Sequence, residues 1–392
     1  MQKATRQHTK DHNSRLVLKT IFDGREVSRA DVARLTGLTR PTVSAIVTEL
    51  LESDLVVELG YGPSAGGKPP TMLTVNESGR KMLAIDLSGD EFRAARFNLK
   101  GEIEDRAGIP ATGLRGDDVV ESIVRLLEPL MPPSTPLLGL GIATPGLVDP
   151  QSGVVLRAVN LGWVNLPLRD LLEAHFDVPV HIANDSHMAA LAEYTFGKPL
   201  STGNLIVIRV GRGIGSGIIL NGSPFYGDGF GAGEIGHVVV DPSGRVCTCG
   251  NRGCLETTSS ITAILQRVSD LKRDRDPRRE QVTISWPELV SAALDHDPDA
   301  VEIVVRAGCH LGQTVAHLVA AYNIRNVVLT GRIADLGDLL LDAVISEMHQ
   351  RVLPALATRT RVHYTSLVKH QPGDIVMLGC SALLLHRELG VI

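Results

Sequence analysis

Residues 233–256 read GEIGHVVVDPSGRVCTCGNRGCLE, and this stretch organises the rest of the chain. It holds Cys247, Cys249 and Cys254, three of the five cysteines, with His237 ten residues ahead of the first. Thiolate and imidazole are the ligands that zinc prefers, and four of them close a tetrahedron. Gly250, Asn251 and Gly253 let the backbone curl tightly enough to aim three sulfurs at one centre. The spacing predicts a closed, structural Cys3His zinc site at His237, Cys247, Cys249 and Cys254. The bland alternative, three unrelated thiols in a polar loop, fits poorly with so dense a cluster in a cysteine-poor chain. Glu234 and Glu256 flank the site, so a metal that fixes the loop fixes two carboxylates as well.

Working outward, 392 residues suggest two or three domains, and 43% apolar with 4% aromatic residues describes a soluble α/β protein. No apolar run has the length of a membrane span, and the N-terminus MQKATRQHTKDHNSR lacks the apolar core of a secretory signal. A cytoplasmic location is expected, in keeping with reduced, metal-bound cysteines. Residues 1–80 carry 11 Lys and Arg against 9 Asp and Glu, whereas the remainder carries 28 against 35. An acidic body with a mildly basic head fits nucleic-acid contact at the head alone.

The head predicts three helices. Asn13-Ser14 would cap the first, with Leu16, Leu18, Ile21 and Phe22 on its apolar face. Ser28 would cap the second, with Val32 and Leu35 inward and Gly37 making the turn. Thr39 would cap the third, with Pro41 in its first turn, where a missing N–H costs nothing. Two short helices across a glycine turn make a helix-turn-helix. The N-terminal residues of the third helix, Thr39, Arg40, Thr42 and Ser44, would face bases in the major groove. Arg40 could read guanine with both guanidinium nitrogens, worth about 1–3 kcal/mol of discrimination. LVVELG, a Gly/Pro-rich turn and TMLTVN predict a wing, with Lys68 reaching phosphate or minor groove. Arg6, Lys10, Arg15 and Lys19 read as phosphate contacts or as solvated surface.

From residue 81 onward strands alternate with helices, which predicts an α/β fold with largely parallel sheets. An opening triple of strands recurs loosely around residues 204–240, which predicts two related lobes with a cleft between them. Loops at strand ends would carry the chemistry. Asn184-Asp185 ends a strand and begins a helix; it reads equally as an N-cap and as a carboxylate facing a sugar hydroxyl or serving as general base. The glycines of 211–217 (GRGIGSG) form neither a P-loop nor a dinucleotide fingerprint, and read either as a backbone cradle for phosphate or as a plain glycine hairpin.

Together ATPGLVD, VNLGW, ANDSHMAALAE, VGRGIGSGIILNG, GAGEIGH and CTCGNRGCLE, in this order and spacing, resemble the ROK family (repressors, open reading frames and kinases) over essentially the whole chain. The resemblance implies a winged helix-turn-helix over residues 1–80 followed by a two-lobed, actin-like domain of ribonuclease H-like, sugar-kinase type over 81–392. Lobe 1 would span about 81–200 plus a C-terminal helix at 375–389, and lobe 2 about 201–374. It also implies a sugar in the cleft, held by Asn184, Asp185, Glu234, His237 and Glu256 and lined by Gly146, Val159 and Asn160. His237 would give one ring nitrogen to zinc and the other to the sugar. Family kinases use the residue matching Asp185 as base and open with Asp-x-Gly-Gly-Thr. Here that segment reads Asp86-Leu87-Ser88-Gly89-Asp90, and Asp90 would oppose ATP phosphates, while Arg212 and Arg332 would crowd the nucleotide.

The expectation is therefore a sugar-responsive regulator without kinase activity, a repressor of carbohydrate genes acting as a homodimer or homotetramer on a palindromic operator. A sugar or phosphosugar would be its effector, changing the angle between the lobes. An ATP-dependent sugar kinase of the same family is the alternative.

Overall fold

The computed structural model describes residues 6–24, 26–63, 69–132, 134–198, 202–275, 284–367 and 374–392. The chain divides into two compact units, 1–183 with 380–392, and 184–379.

The first unit opens with the helices Arg6–Gly24, Arg29–Thr36 and Arg40–Glu52. The first helix already runs at Arg6, so Asn13 and Ser14 lie within it and do not cap it. Ser28 caps the second helix with a capping box: its side chain accepts from the Asp31 N–H while Asp31 accepts from the Ser28 N–H. Gly37 ends that helix at φ 71°, the left-handed conformation that glycine adopts without strain. Thr39 caps the third helix, with Pro41 in its first turn. Val17, Ile21, Val32, Val43, Ile46 and Val47 make the shared core. Leu35, expected inside, is 59% exposed; an eight-residue helix has only about two turns, and Val32 fills its inward face.

Val56–Tyr61 and Thr71–Val75 pair antiparallel as the wing, and the short strand Val27–Ser28 joins the far side of Thr71–Val75. That third strand has no period to read in two residues. The helices, the glycine turn and this sheet form a winged helix-turn-helix. Lys68 lies outside the described residues.

Beyond the head, the same unit holds a five-stranded sheet in the order Val180–Asn184, Leu137–Thr144, Lys81–Asp86, Glu91–Phe97, Ile103–Pro110. Lys81–Asp86 runs parallel to Leu137–Thr144 and antiparallel to Glu91–Phe97. The helix Asp117–Leu127 buries Val119, Ile123 and Leu126 in the core that holds Leu83, Ile85 and Ile142.

The second unit repeats this plan. Its sheet runs Arg361–Tyr364, Asn326–Thr330, Leu205–Val210, Ile214–Leu220, Ser223–Pro224. Leu205–Val210 is again parallel to one neighbour and antiparallel to the other. The loose internal recurrence in the sequence is thus a repeated five-strand topology. The helices Pro298–Tyr322 and Gly337–Arg351 pack closely beneath it because Gly308 and Gly312 carry no side chain: a Cβ on Gly312 would stand 2.6 Å from the Val344 carbonyl oxygen.

Candidate functional site

The strand Ile214–Leu220 is the platform on which one side of the second unit's site is built. Its glycines are spaces for close neighbours. A Cβ on Gly213 would meet the Glu256 carboxylate at 2.5 Å, one on Gly215 the Ser186 hydroxyl at 2.4 Å, and one on Gly217 the Ser186 carbonyl oxygen at 2.4 Å. The turn therefore seats Glu256 and the start of the helix Asp185–Phe196. The Ile214 N–H donates to Glu256 at 3.2 Å. The GEIGH segment lies on the same strand: the Ser216 N–H donates to the Gly233 carbonyl at 2.8 Å. Gly233, at φ 98°, leaves no room for a Cβ above the Ser216 carbonyl.

These three seats bring Asp185, Glu234 and Glu256 within electrostatic reach of one another. Burial first, and then the Asp185 charge, push the Glu234 carboxyl above its ordinary range, against the pull of His237. Asn184 and Asp185 are both buried. Asn184 caps the helix, its Oδ1 accepting from the Ser186 N–H at 2.8 Å and the His187 N–H at 3.3 Å. Asp185 accepts from the Ser186 N–H at 2.7 Å through Oδ1 and from Arg209 Nη1 at 2.8 Å through Oδ2. The cap and the positioned carboxylate are thus two neighbouring residues. Arg209 was not legible as part of this cluster, since in LIVIRV it reads as an outward residue of an alternating strand. His187, buried against Tyr226, lies 2.8 Å through Nε2 from the Ala232 carbonyl oxygen and steadies the loop ahead of Gly233.

The cysteine loop closes beside these carboxylates. The ligand atoms of His237, Cys247, Cys249 and Cys254 all lie within 4.8 Å of one another. Cys249 Sγ and Cys254 Sγ are 3.7 Å apart, and Cys247 Sγ lies 3.6 Å from His237 Nδ1. A tetrahedral ion with metal–sulfur bonds of about 2.3 Å and a metal–nitrogen bond of about 2.0–2.1 Å requires edges of roughly these lengths. The backbone is shaped for the purpose. Gly250 and Gly253 adopt φ 96° and 73°. The Cys247 N–H donates to the Asn251 carbonyl at 2.7 Å and the Gly253 N–H to that of Arg245 at 2.8 Å. Without a cation the thiols are mismatched: the Asn251 backbone N–H helps draw Cys249 down to about 7, while burial pushes Cys254 up to about 12. The donor set fits a metal ion. The other ring nitrogen of His237, Nε2, stands 4.0 Å from Glu234 Oε2, so one imidazole faces both the sulfurs and the carboxylates.

The remaining expected residues lie in the first unit. Gly146 sits at φ 86°, where a Cβ would strike the Arg157 carbonyl, and Val159 and Asn160 are exposed on a 3-10 turn, Val159–Leu161. On the head, Thr39, Arg40 and Ser44 are exposed and Thr42 half-buried, with the Thr39 and Thr42 hydroxyls 2.8 Å apart. Lys10 pairs with Glu49 at 2.8 Å, and Lys19 donates to the Val391 carbonyl at 3.0 Å. At the expected nucleotide motif, Ser88 donates through N–H and hydroxyl to Asp86, at 2.9 and 2.5 Å, and Asp90 is exposed. Arg212 and Arg332 are exposed, Arg332 lying 4.0 Å from Asp335. Among the described residues no helix is long and apolar enough to cross a membrane.

Comparison with known proteins places this architecture. The chain is 34% identical over 395 residues to a xylose repressor of Caldicellulosiruptor bescii, covering 97% of each. It is 30% identical over 358 residues to the DNA-binding transcriptional dual regulator NagC of Escherichia coli (strain K12), covering 90% of this chain and 88% of that one. A solved ROK family transcriptional regulator, a homologue of the E. coli MLC protein, superposes with a TM-score of 0.80 at 27% identity, over 98% of this chain and 100% of that one. The part beyond the head has the actin-like sugar-kinase fold of these proteins. The ROK family model matches residues 82–387, and the chain belongs to the ROK family.

Proposed function

We propose that this protein is a sugar-responsive transcriptional repressor whose winged head binds operator DNA and whose second unit holds the sugar. One chain carries both an exposed recognition-helix N-terminus and a cluster of carboxylates suited to accepting hydroxyl hydrogens, and this combination carries the reading. Full-length similarity to a protein named xylose repressor supports it, since that likeness extends through the head. In this reading Thr39, Arg40, Thr42, Ser44 and Lys68 contact DNA. Asn184, Asp185, Glu234, His237 and Glu256 hold the sugar on the second unit.

The metal is a structural zinc on His237, Cys247, Cys249 and Cys254. A thiolate-rich, four-donor set suits zinc and leaves no position open for catalysis. His237 gives Nδ1 to the metal and presents Nε2, 4.0 Å from Glu234 Oε2, to the sugar. The heads act in pairs on a palindromic operator, with half-sites about 34 Å apart. Such a regulator works in the cytoplasm, where the DNA is.

A kinase reading would use Asp185 as base and the first unit's Asp86–Asp90 segment for ATP. Two features of the site weigh against it. Asp185 is held by Arg209 and Ser186, and Asp90 stands as an exposed charge where family kinases carry a hydroxyl.

The test is fluorescence anisotropy on the DNA upstream of the protein's own gene at one fixed salt concentration, with D-xylose, D-glucose, N-acetylglucosamine and their phosphates. Tight binding altered by one sugar establishes the regulator and its effector. Phosphate transfer from ATP to any of these sugars, with no operator binding, overturns it.

A further inference from the structure

A polar pocket opens in the same unit, with none of Asp185, Glu234 and Glu256 in its lining. Four elements wall it: the 241–245 segment, the short helix Glu256–Ser259 through Thr257 and Thr258, the helix Ile261–Arg275 and the helix Pro298–Tyr322. It has a volume of about 80 Å³, room for several water molecules and enough for a phosphate group.

Its lining is cationic. Arg245, Arg267 and Arg306 converge on it, and the one carboxylate in the lining is Asp241. Arg306 reaches Asp241 only at 3.9 Å. Arg245 pairs with Asp270, a carboxylate already shared with Arg273 at 3.2 Å. Arg267 has no ion pair or hydrogen bond among the described residues. Three guanidinium groups are thus set around one cavity with too little negative charge to balance them.

His310 supplies an independent sign. It lines the same pocket, one helical turn beyond Arg306, and its Nδ1 is buried with no hydrogen-bond partner. Buried polar atoms are almost always paired, and an orphan marks a missing ligand or water. Burial, and then the Arg306 charge, hold the imidazole below its ordinary range.

We propose that this pocket binds a phosphate group, either inorganic phosphate or the phosphate of a phosphorylated sugar. Guanidinium forks match phosphate oxygens in pairs, and arginines from three different elements suit a tetrahedral dianion better than a planar carboxylate. Arg245 ties the pocket to the metal loop, because its carbonyl accepts from the Gly253 N–H beside Cys254. Phosphate held there braces the same stem that positions the cysteines. The site does not depend on the sugar reading of the carboxylate cluster.

The test is isothermal titration of the full-length protein in phosphate-free buffer with inorganic phosphate, glucose 6-phosphate and glucose. Saturable binding of phosphate or glucose 6-phosphate is expected. Arg267→Gln and Arg306→Gln should each weaken it about tenfold or more, with unchanged far-UV circular dichroism. Asp185→Asn, in the carboxylate cluster, should leave the binding of inorganic phosphate intact. Tighter binding of glucose 6-phosphate than of phosphate, lost in the arginine variants, identifies a phosphorylated sugar; equal or weaker binding identifies inorganic phosphate. The proposal is overturned by no saturable binding of either, by binding that both arginine variants retain, or by loss on Asp185→Asn with the arginine variants unaffected.

Discussion

His237 and Asp185 show how single side chains divide their atoms between neighbours. His237 turns Nδ1 to the sulfurs and Nε2 toward Glu234. Asp185 gives one oxygen to the helix start and the other to Arg209. The Asp185–Arg209 pair is well buried, with side-chain exposures of 9% and 21%. Removing one partner of such a pair strands the other charge in a poor solvent, at a cost of about 3 kcal/mol. Arg209→Met is therefore expected to lower unfolding stability in urea by about that amount, and Asp185→Asn with Arg209→Met together by less than the two singles combined. Strict additivity in this cycle would show that the pair is not coupled. Sequence alone showed Asp185, because Asn-Asp at a strand end is a local signal. It did not show Arg209, because the contact joins residues 24 apart and leaves only one charged letter in an apolar strand.

Among the elements, the helix Arg29–Thr36 is short enough that its cap matters. Hydrogen bonds from Ser28, with Arg34 beside it, hold the Asp31 carboxyl down at about 2, against about 3.9 in an unfolded chain. A depressed carboxyl stabilises the fold fully above the unfolded value and loses that contribution as pH falls through the folded one. With its side chain 39% exposed, solvent screening leaves about 1 kcal/mol of the larger linkage figure. Asp31→Ala should thus cost about 1 kcal/mol at pH 6, and the difference should shrink toward zero as pH falls from about 4 to about 2. A gap independent of pH would assign the loss to packing.

The cysteine loop depends on its donors in the same local way. Cys249→Ser or chelation should abolish metal binding and expose Arg245 and Arg252 to trypsin; a protein that binds metal and keeps its protease resistance after Cys249→Ser would exclude Cys249 as a ligand. Caps and cysteine spacing were legible because they act over three to ten residues. The glycines of 211–217 were ambiguous, since their reason is the approach of Ser186 and Glu256 from elsewhere in the chain. The Asn13-Ser14 cap misled because a polar pair can sit mid-helix on a solvated face.

In the whole molecule, the repeated five-strand topology supplies two similar units; the candidate DNA residues stand on the first and the carboxylate cluster on the second. The sequence showed the strand–helix alternation and the loose repeat; pairing order was not readable, because parallel partners are distant in the chain. If a sugar weakens operator binding, the two ligands share a coupling free energy, and linkage makes that energy reciprocal. A hundredfold loss of operator affinity at saturating sugar corresponds to about 2.7 kcal/mol, so operator DNA must weaken sugar binding by the same hundredfold. Arg40→Ala separates the two functions. It should reduce operator affinity by about 1–3 kcal/mol, leave binding to unrelated DNA nearly unchanged, and leave the sugar dissociation constant of the free protein where it was. Glu234→Gln should do the reverse, weakening sugar while sparing operator binding without it. Sugar affinity measured with and without operator, by titration at one salt concentration, checks the argument. Equal sugar affinities in the presence and absence of DNA, alongside sugar-dependent release, would contradict linkage at one site and point to a second sugar-binding site.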